Sequence, residues 1–257
     1  MAWKGRKVIE NAPDWYNTPF EDLDFEWSKE EEVEIERYCE RILKNVEEEG
    51  GMTPKERFMA FQWCKDKDRM VVGCLHGNVW STRTLDSGAD AIKPIDVHRY
   101  PKLFVKAHLA TMARFKLDFN NLHTINYGED MWGGQSRMVD YGNPILVPPP
   151  PIKKFEDIEG MPAPDPMKDG LYPGYLWANR EYRRIINKYN LPIPVHASIC
   201  PGTIALVMMG MTGFSEFPMV LRRDPEVVKY GIEKGLEFLK KFGERIIDLA
   251  EPDAMYM

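Results

Sequence analysis

Residues 68–74 read Asp68-Arg69-Met70-Val71-Val72-Gly73-Cys74, a polar link that runs into a short apolar stretch. Five apolar or small residues are too few for a helix. They are what a strand buried on both faces of a parallel sheet requires. Upstream, Thr53-Pro54-Lys55-Glu56 combines a capping box with proline at the first helical position and predicts a helix to about Cys64. Before that, Ser28 offers an N-cap, Val33, Ile35, Tyr38, Ile42, Leu43 and Val46 form an apolar stripe, and Gly50-Gly51 ends a charged helix over 28–49. Residues 1–27 are aromatic, acidic and aperiodic. They predict an arm lying across a surface through Trp3, Trp15, Tyr16, Phe20 and Trp27. The arm and its helix (1–51) are read as one unit and 52–257 as a second.

Downstream the helix-then-strand cycle repeats. A helix is expected over 96–116, with Val97, Leu103, Phe104, Ala107, Ala110, Met112 and Phe115 apolar, and a strand from Phe119 to Ile125. Residues 126–172 read as long and irregular, and Pro148 to Pro151 favour an extended polyproline stretch over a helix. A third cycle follows: a helix from about Tyr175 to Tyr189, a strand from Pro194 to Ile199 and a short helix over Gly202–Met211. Asp224-Pro225-Glu226 then opens a long amphipathic helix, and Ala254-Met255-Tyr256-Met257 reads as a fourth strand. Such alternation points to a parallel α/β architecture. Four βα units are half of an eight-stranded barrel, and the last strand ends the sequence with an edge that folded proteins normally cover.

The composition bounds the partners. The 257 residues carry 34 Lys+Arg against 40 Asp+Glu, a net charge of −6, which argues against general nucleic-acid binding. Mean hydropathy is −0.44. No apolar run approaches the ~18–20 residues of a membrane helix, and the N-terminus lacks an apolar signal core. Cys39, Cys64, Cys74 and Cys200 have no CxxC spacing and read as reduced thiols. The expectation is a cytoplasmic protein without nucleic-acid or membrane partners.

Several segments, in order, resemble the uroporphyrinogen decarboxylase superfamily, a single (β/α)8 barrel fold that includes corrinoid-dependent methyltransferases. They are Met52-Thr53-Pro54-Lys55-Glu56-Arg57-Phe58 with Asp68-Arg69-Met70-Val71-Val72, then Leu117-Asp118 and Val139-Asp140-Tyr141-Gly142. Phe155-Glu156-Asp157-Ile158 with Pro164-Asp165-Pro166, Cys200-Pro201-Gly202-Thr203-Ile204-Ala205, Asp224-Pro225-Glu226-Val227-Val228 and Glu251-Pro252-Asp253-Ala254-Met255 complete the set. The resemblance covers 52–257 and only the first four βα units of the TIM barrel, preceded by an N-terminal helical extension.

It implies a methyltransferase component that moves a methyl group between a small-molecule substrate and cobalamin on a separate corrinoid protein. It also implies zinc held by a His-x-Cys pair and a later Cys from outside this chain, which itself binds no cofactor alone. A complementary half-barrel subunit, and hence an oligomer, is the matching expectation. The alternatives are cofactor-free porphyrinogen decarboxylation and a non-catalytic subunit. Decarboxylases carry an Arg-Gln-Ala-Gly-Arg segment after the first strand. Here that stretch is His76-Gly77-Asn78-Val79-Trp80-Ser81-Thr82-Arg83, where Arg83 alone faces the task of paired guanidiniums.

In such a barrel the active site lies at the C-terminal ends of the strands. That rule selects Cys74, His76 and Asn78 after the first strand, to which Arg83 is added, Tyr127, Glu129 and Asp130 after the second, Ser198, Cys200 and Thr203 after the third, and Tyr256 at the fourth; Cys200 is read instead as a small core-facing thiol. His76, Glu129 and Asp130 are the catalytic candidates and the others contact substrate. His76 is a proton donor or a histidine bonded to a loop carbonyl. Glu129 or Asp130 is a general acid or a cap on nearby amides. His196 and Cys200, four apart on a strand, stand about 13 Å from each other and do not make a zinc pair.

Overall fold

Ser28 and Thr53 start two helices by the same device. The Ser28 hydroxyl accepts from the Glu31 amide and the Glu31 carboxylate from the Ser28 amide, and Thr53 and Glu56 do likewise. They open α1 (Lys29–Glu49), which ends at Gly50 with φ 68°, and α2 (Pro54–Gln62). The structure, a computed structural model, describes residues 5–74, 93, 95–122, 128–140, 144–199 and 202–256.

Four strands form one parallel sheet in sequence order: β1 (Gly73–Cys74), β2 (Phe119–Leu122), β5 (His196–Ser198) and β6 (Ala254–Tyr256). Between them come α3 (Asp96–Arg99), α4 (Pro101–Phe115) and α6 (Tyr172–Tyr189). Then follow α7 (Thr203–Ala205), a π-helical turn (Leu206–Met211), α8 (Phe217–Arg223) and α9 (Pro225–Ala250). Each described crossover is helical, as a parallel pairing demands.

The sheet has two unlike faces. Register puts Leu122, Ala197 and Met255 side by side, and Met255 approaches Gly243 of α9, so this face meets the helices. Alternation turns Phe119, Asn121, His196, Ser198, Ala254 and Tyr256 the other way. Gly231 and Gly235 let α9 close on the 203–211 segment: a Cβ on Gly231 would stand 2.9 Å from Val207.

Four expectations need correction. The first strand is not buried on both faces over 70–74. It spans Gly73–Cys74, and Met70 and Val72 are 82% and 51% exposed, because β1 has a paired neighbour on one side only among the described residues. The helix expected over 96–116 is two helices. Proline at 101 holds Tyr100 extended (φ −127°, ψ 91°), which separates α3 from α4; Phe115, the last residue of α4, is exposed. The irregular 126–172 segment contains an antiparallel hairpin, β3 (Gln135–Arg137) and β4 (Ile145–Val147), and a helical turn, α5 (Phe155–Ile158). The proline run continues from β4 as a bend that includes a cis Pro148-Pro149 bond, not a uniform polyproline stretch.

The N-terminal ends of the strands are tied by a repeated staple. Asp118 donates its amide to the Val72 carbonyl (2.7 Å) and accepts the Val72 amide on its carboxylate (2.8 Å). Asp253 makes the same two bonds to Val195, each 2.8 Å. Helix α2 reaches both: Arg57 pairs with Asp118 and Lys55 with Asp253. Phe58 of α2 packs against the rings of Phe119 and His196 between these pairs. Asp118→Ala removes one of the carboxylates paired with the Arg57 guanidinium, which has no exposed surface, and leaves its Nη1 donor unsatisfied, which should cost about 1–3 kcal/mol. Urea unfolding of the variant against the parent chain measures that loss.

Candidate active site

The C-terminal ends of the four parallel strands are Cys74, Leu122, Ser198 and Tyr256. Ser198 and Tyr256 are paired in register and share the face opposite the one that meets α9. Cys74 pairs with Asn120 and, by alternation, faces the opposite way. Thr203 opens α7, and its Cα and Cβ lie 3.7 Å from where Gly235 of α9 would carry a Cβ. These four candidates therefore do not converge on one point. His76, Asn78, Arg83, Tyr127 and Cys200 lie outside the described residues, as does Trp3 of the arm.

One residue on the Ser198 face was passed over in the sequence. His196 sits two residues before Ser198, between the Phe58 and Phe119 rings, with its Nδ1 buried and free of any hydrogen bond. Burial lowers its pKa to about 4, so the imidazole is neutral at physiological pH. The signal was the period-two alternation His196–Ser198, which a search for metal-ligand spacing does not weigh. Among the described residues no group of three or more His, Cys, Asp or Glu side chains is placed to hold a metal ion.

Glu129 and Asp130 stand in the 128–134 turn between β2 and the hairpin. The turn is built on Gly128 (φ 61°), whose carbonyl accepts the Met131 amide, and on Gly134, whose amide donates to the Glu129 carbonyl at 2.8 Å. Met131 and Trp132 anchor it in the core, Trp132 edge-on to Phe238 of α9 at 6.0 Å. Both carboxylic residues are 2% exposed. Their environments differ. Asp130 accepts hydrogen bonds from the Tyr16 hydroxyl and from Ser136 Oγ (3.2 Å). Glu129 Oε2 is buried without a partner. Desolvation pushes Glu129 up to about 8, reinforced by the Asp130 charge, and burial also raises Asp130 against the pull of its two donors. A carboxyl group that keeps its proton near neutrality can act as a general acid.

The sequence model of uroporphyrinogen decarboxylase (URO-D) matches residues 53–254. The chain belongs to the URO-D family. A solved structure of a methyltransferase from Methanosarcina mazei superposes with a TM-score of 0.63 at 17% identity, over 80% of this chain. At that identity the likeness is one of fold. The superposition covers 58% of the methyltransferase, so this URO-D chain spans little more than half of its structural neighbour. No curated protein matches the chain. The family match starts at the α2 capping box and stops in β6, so the Tyr16 contact with Asp130 comes from outside it.

The Glu129 proton has a consequence for stability. Its folded pKa, about 8, lies above the ordinary unfolded value of about 4.3, so the folded state binds the proton more tightly. That contribution is complete below the unfolded value and is lost as pH rises through the folded one. Up to about pH 6.5 the buried, neutral His196 and His108, both lowered to about 4, oppose this loss, so unfolding free energy should fall between about pH 7 and 8, by at most about 1.4 kcal/mol per pH unit. Glu129→Gln should flatten the slope in a series of urea titrations, whereas a parent curve already flat over this range would contradict a buried, protonated Glu129.

Proposed function

We propose that this URO-D family chain is a corrinoid-dependent methyltransferase component. It supplies the first four βα units of a barrel and moves a methyl group between a small-molecule substrate and cobalamin on a partner protein. The observation that carries the choice within the family is the 76–83 segment. It offers one guanidinium, Arg83, where a poly-carboxylated porphyrinogen calls for paired ones. Glu129 is the proposed acid, with Asp130 as its neighbour in the turn: it protonates the substrate heteroatom as the bond from that atom to the methyl group breaks, and in the reverse direction its carboxylate takes the proton that a thiol or amine loses on gaining the methyl group. His76 is a further proposed catalytic residue, and Asn78, Arg83 and Tyr127, with Cys74, Ser198, Thr203 and Tyr256, are the proposed substrate contacts. Zinc, where the reaction uses it, is proposed to be held by residues outside this chain.

The remaining barrel strands, in this reading, come from a further segment or chain. Two observations support it: β1 and β6 have no outer partner among the described residues, and Met70 and Val72 stand exposed beside β1. No described helix is long and apolar enough to cross a membrane, which is compatible with the cytoplasmic location proposed for the pair.

Two assays test the proposal on the purified chain, alone and with its completing half. Loss of the methylcobalamin absorption in the presence of zinc and a panel of thiols and amines should occur with the completed barrel. Glu129→Gln should slow it by about 10²–10⁴-fold. Conversion of uroporphyrinogen to less carboxylated products, followed by chromatography, should be nil. Porphyrinogen turnover without methyl transfer would replace this reading with the decarboxylase one.

A further inference from the structure

The N-terminal arm lies outside the family-matched segment, yet its bonds concentrate on the stretch of chain that carries the acid. The Lys7 amide donates to the Asp130 carbonyl (3.0 Å), the Glu10 amide to Ser136 (2.8 Å), and the Met138 amide returns to Glu10 (3.1 Å). Glu10 also pairs with Arg137 through their side chains and forms a parallel bridge to it. On the far side, Asn17 exchanges two bonds with Gly170, at 3.2 and 2.7 Å, and Arg6 pairs with Asp169 at 2.9 Å. At the centre Tyr16 places its hydroxyl on Asp130. Ile9 is buried in the same core as Met131 and Trp132. The arm thus runs over the 128–134 turn, the hairpin and the 165–170 loop together.

We propose that the arm is a working part of the acid site, with Tyr16 as a positioning residue. By holding Asp130 it keeps the turn closed, and the closed turn keeps Glu129 out of water. The inference rests on the reading of Glu129 as the acid. The titratable and charged groups around the turn are Asp130 beside Glu129, Tyr16 and Arg6 from the arm, and Asp169 from the facing loop. No cation among these is bonded to Glu129, so exclusion of water is what keeps its proton in place. Without the Tyr16 bond, Asp130 keeps only Ser136 as a side-chain donor, and a buried carboxylate so depleted draws water into the turn.

The test is a carboxyl-carbon NMR titration of the full chain labelled at glutamate, with the Glu129 signal assigned by its loss in Glu129→Gln. Tyr16→Phe is compared with Trp27→Phe, which removes an arm contact to Glu181 of α6 far from the turn. Glu129 should titrate near pH 8 in the parent chain and in Trp27→Phe, and at least about two pH units lower in Tyr16→Phe. Titration near 8 in all three would overturn the role of Tyr16 and leave the acid in place. Titration in the ordinary carboxylate range in the parent chain would overturn the acid itself. A fall in both variants would mean that the arm acts as a general cover, not through Tyr16.

Amide exchange in the parent chain provides a second measurement that needs no variant. The Gly134 amide, bonded to Glu129, should open together with the Glu10 amide, bonded to Ser136. Gly134 protected at least about tenfold longer than Glu10 would show that the turn closes without the arm.

Discussion

Asp118 has no exposed side-chain surface and receives four hydrogen bonds on its carboxylate: from Arg57, twice from Arg69 at 2.6 and 3.0 Å, and from the Val72 amide at 2.8 Å. Arg57, equally buried, spends its remaining donors on Asp68 at 2.6 and 2.8 Å and on the Met52 carbonyl at 2.6 Å. A buried ion pair is not a strong source of stability, since desolvation offsets the attraction. Its value here is register. The network fastens the start of α2, the link before β1 and the start of β2 in one arrangement, and a slip of either strand would leave a buried charge without its partner. Asp253 repeats the arrangement at β5 and β6 with Lys55, so one nine-residue helix indexes all four strands.

This explains why the family was readable while the activity was not. Asp68-Arg69, Leu117-Asp118, Glu251-Pro252-Asp253 and the Met52–Phe58 segment look like motifs, and the structure gathers them at the N-terminal ends of the strands. There they hold the sheet. Chemistry in such folds belongs to the opposite end, on loops whose sequences vary with the substrate. The residues that carry the resemblance therefore specify a scaffold, and a scaffold hosts many reactions.

Helix starts were legible wherever a cap is a local pattern. Ser28 and Thr53 each act on a glutamate three residues on, and the apolar stripe of α9 follows from its own spacing. The strands were located but overextended, because an apolar run does not reveal that β1 has one paired neighbour among the described residues and leaves Val72 outward. The β3–β4 hairpin was missed, as Gln135-Ser136-Arg137 has no apolar alternation. It is held by the arm as much as by its own ladder. Glu129 and Asp130 were selected by their place after β2, but nothing local separates two adjacent carboxylic residues. What separates them comes from Tyr16, 114 residues away, and Ser136.

That asymmetry underlies the proposed roles. Two neighbouring carboxyl groups in one dry turn cannot both ionise cheaply, and the one with donors takes the charge more readily. Asp130 has a donor on each oxygen. Glu129, with an orphaned Oε2 and the Asp130 charge beside it, is the better proton reservoir. The same bonds that favour charge on Asp130 over charge on Glu129 fasten the arm, so the proposed docking of the arm and protonation of Glu129 draw on one set of contacts. A family barrel without such an arm would have to hold the proton of this carboxyl by some other means. In the proposed reading, the arm that precedes α1 and lies outside the family-matched segment belongs to the site's electrostatics.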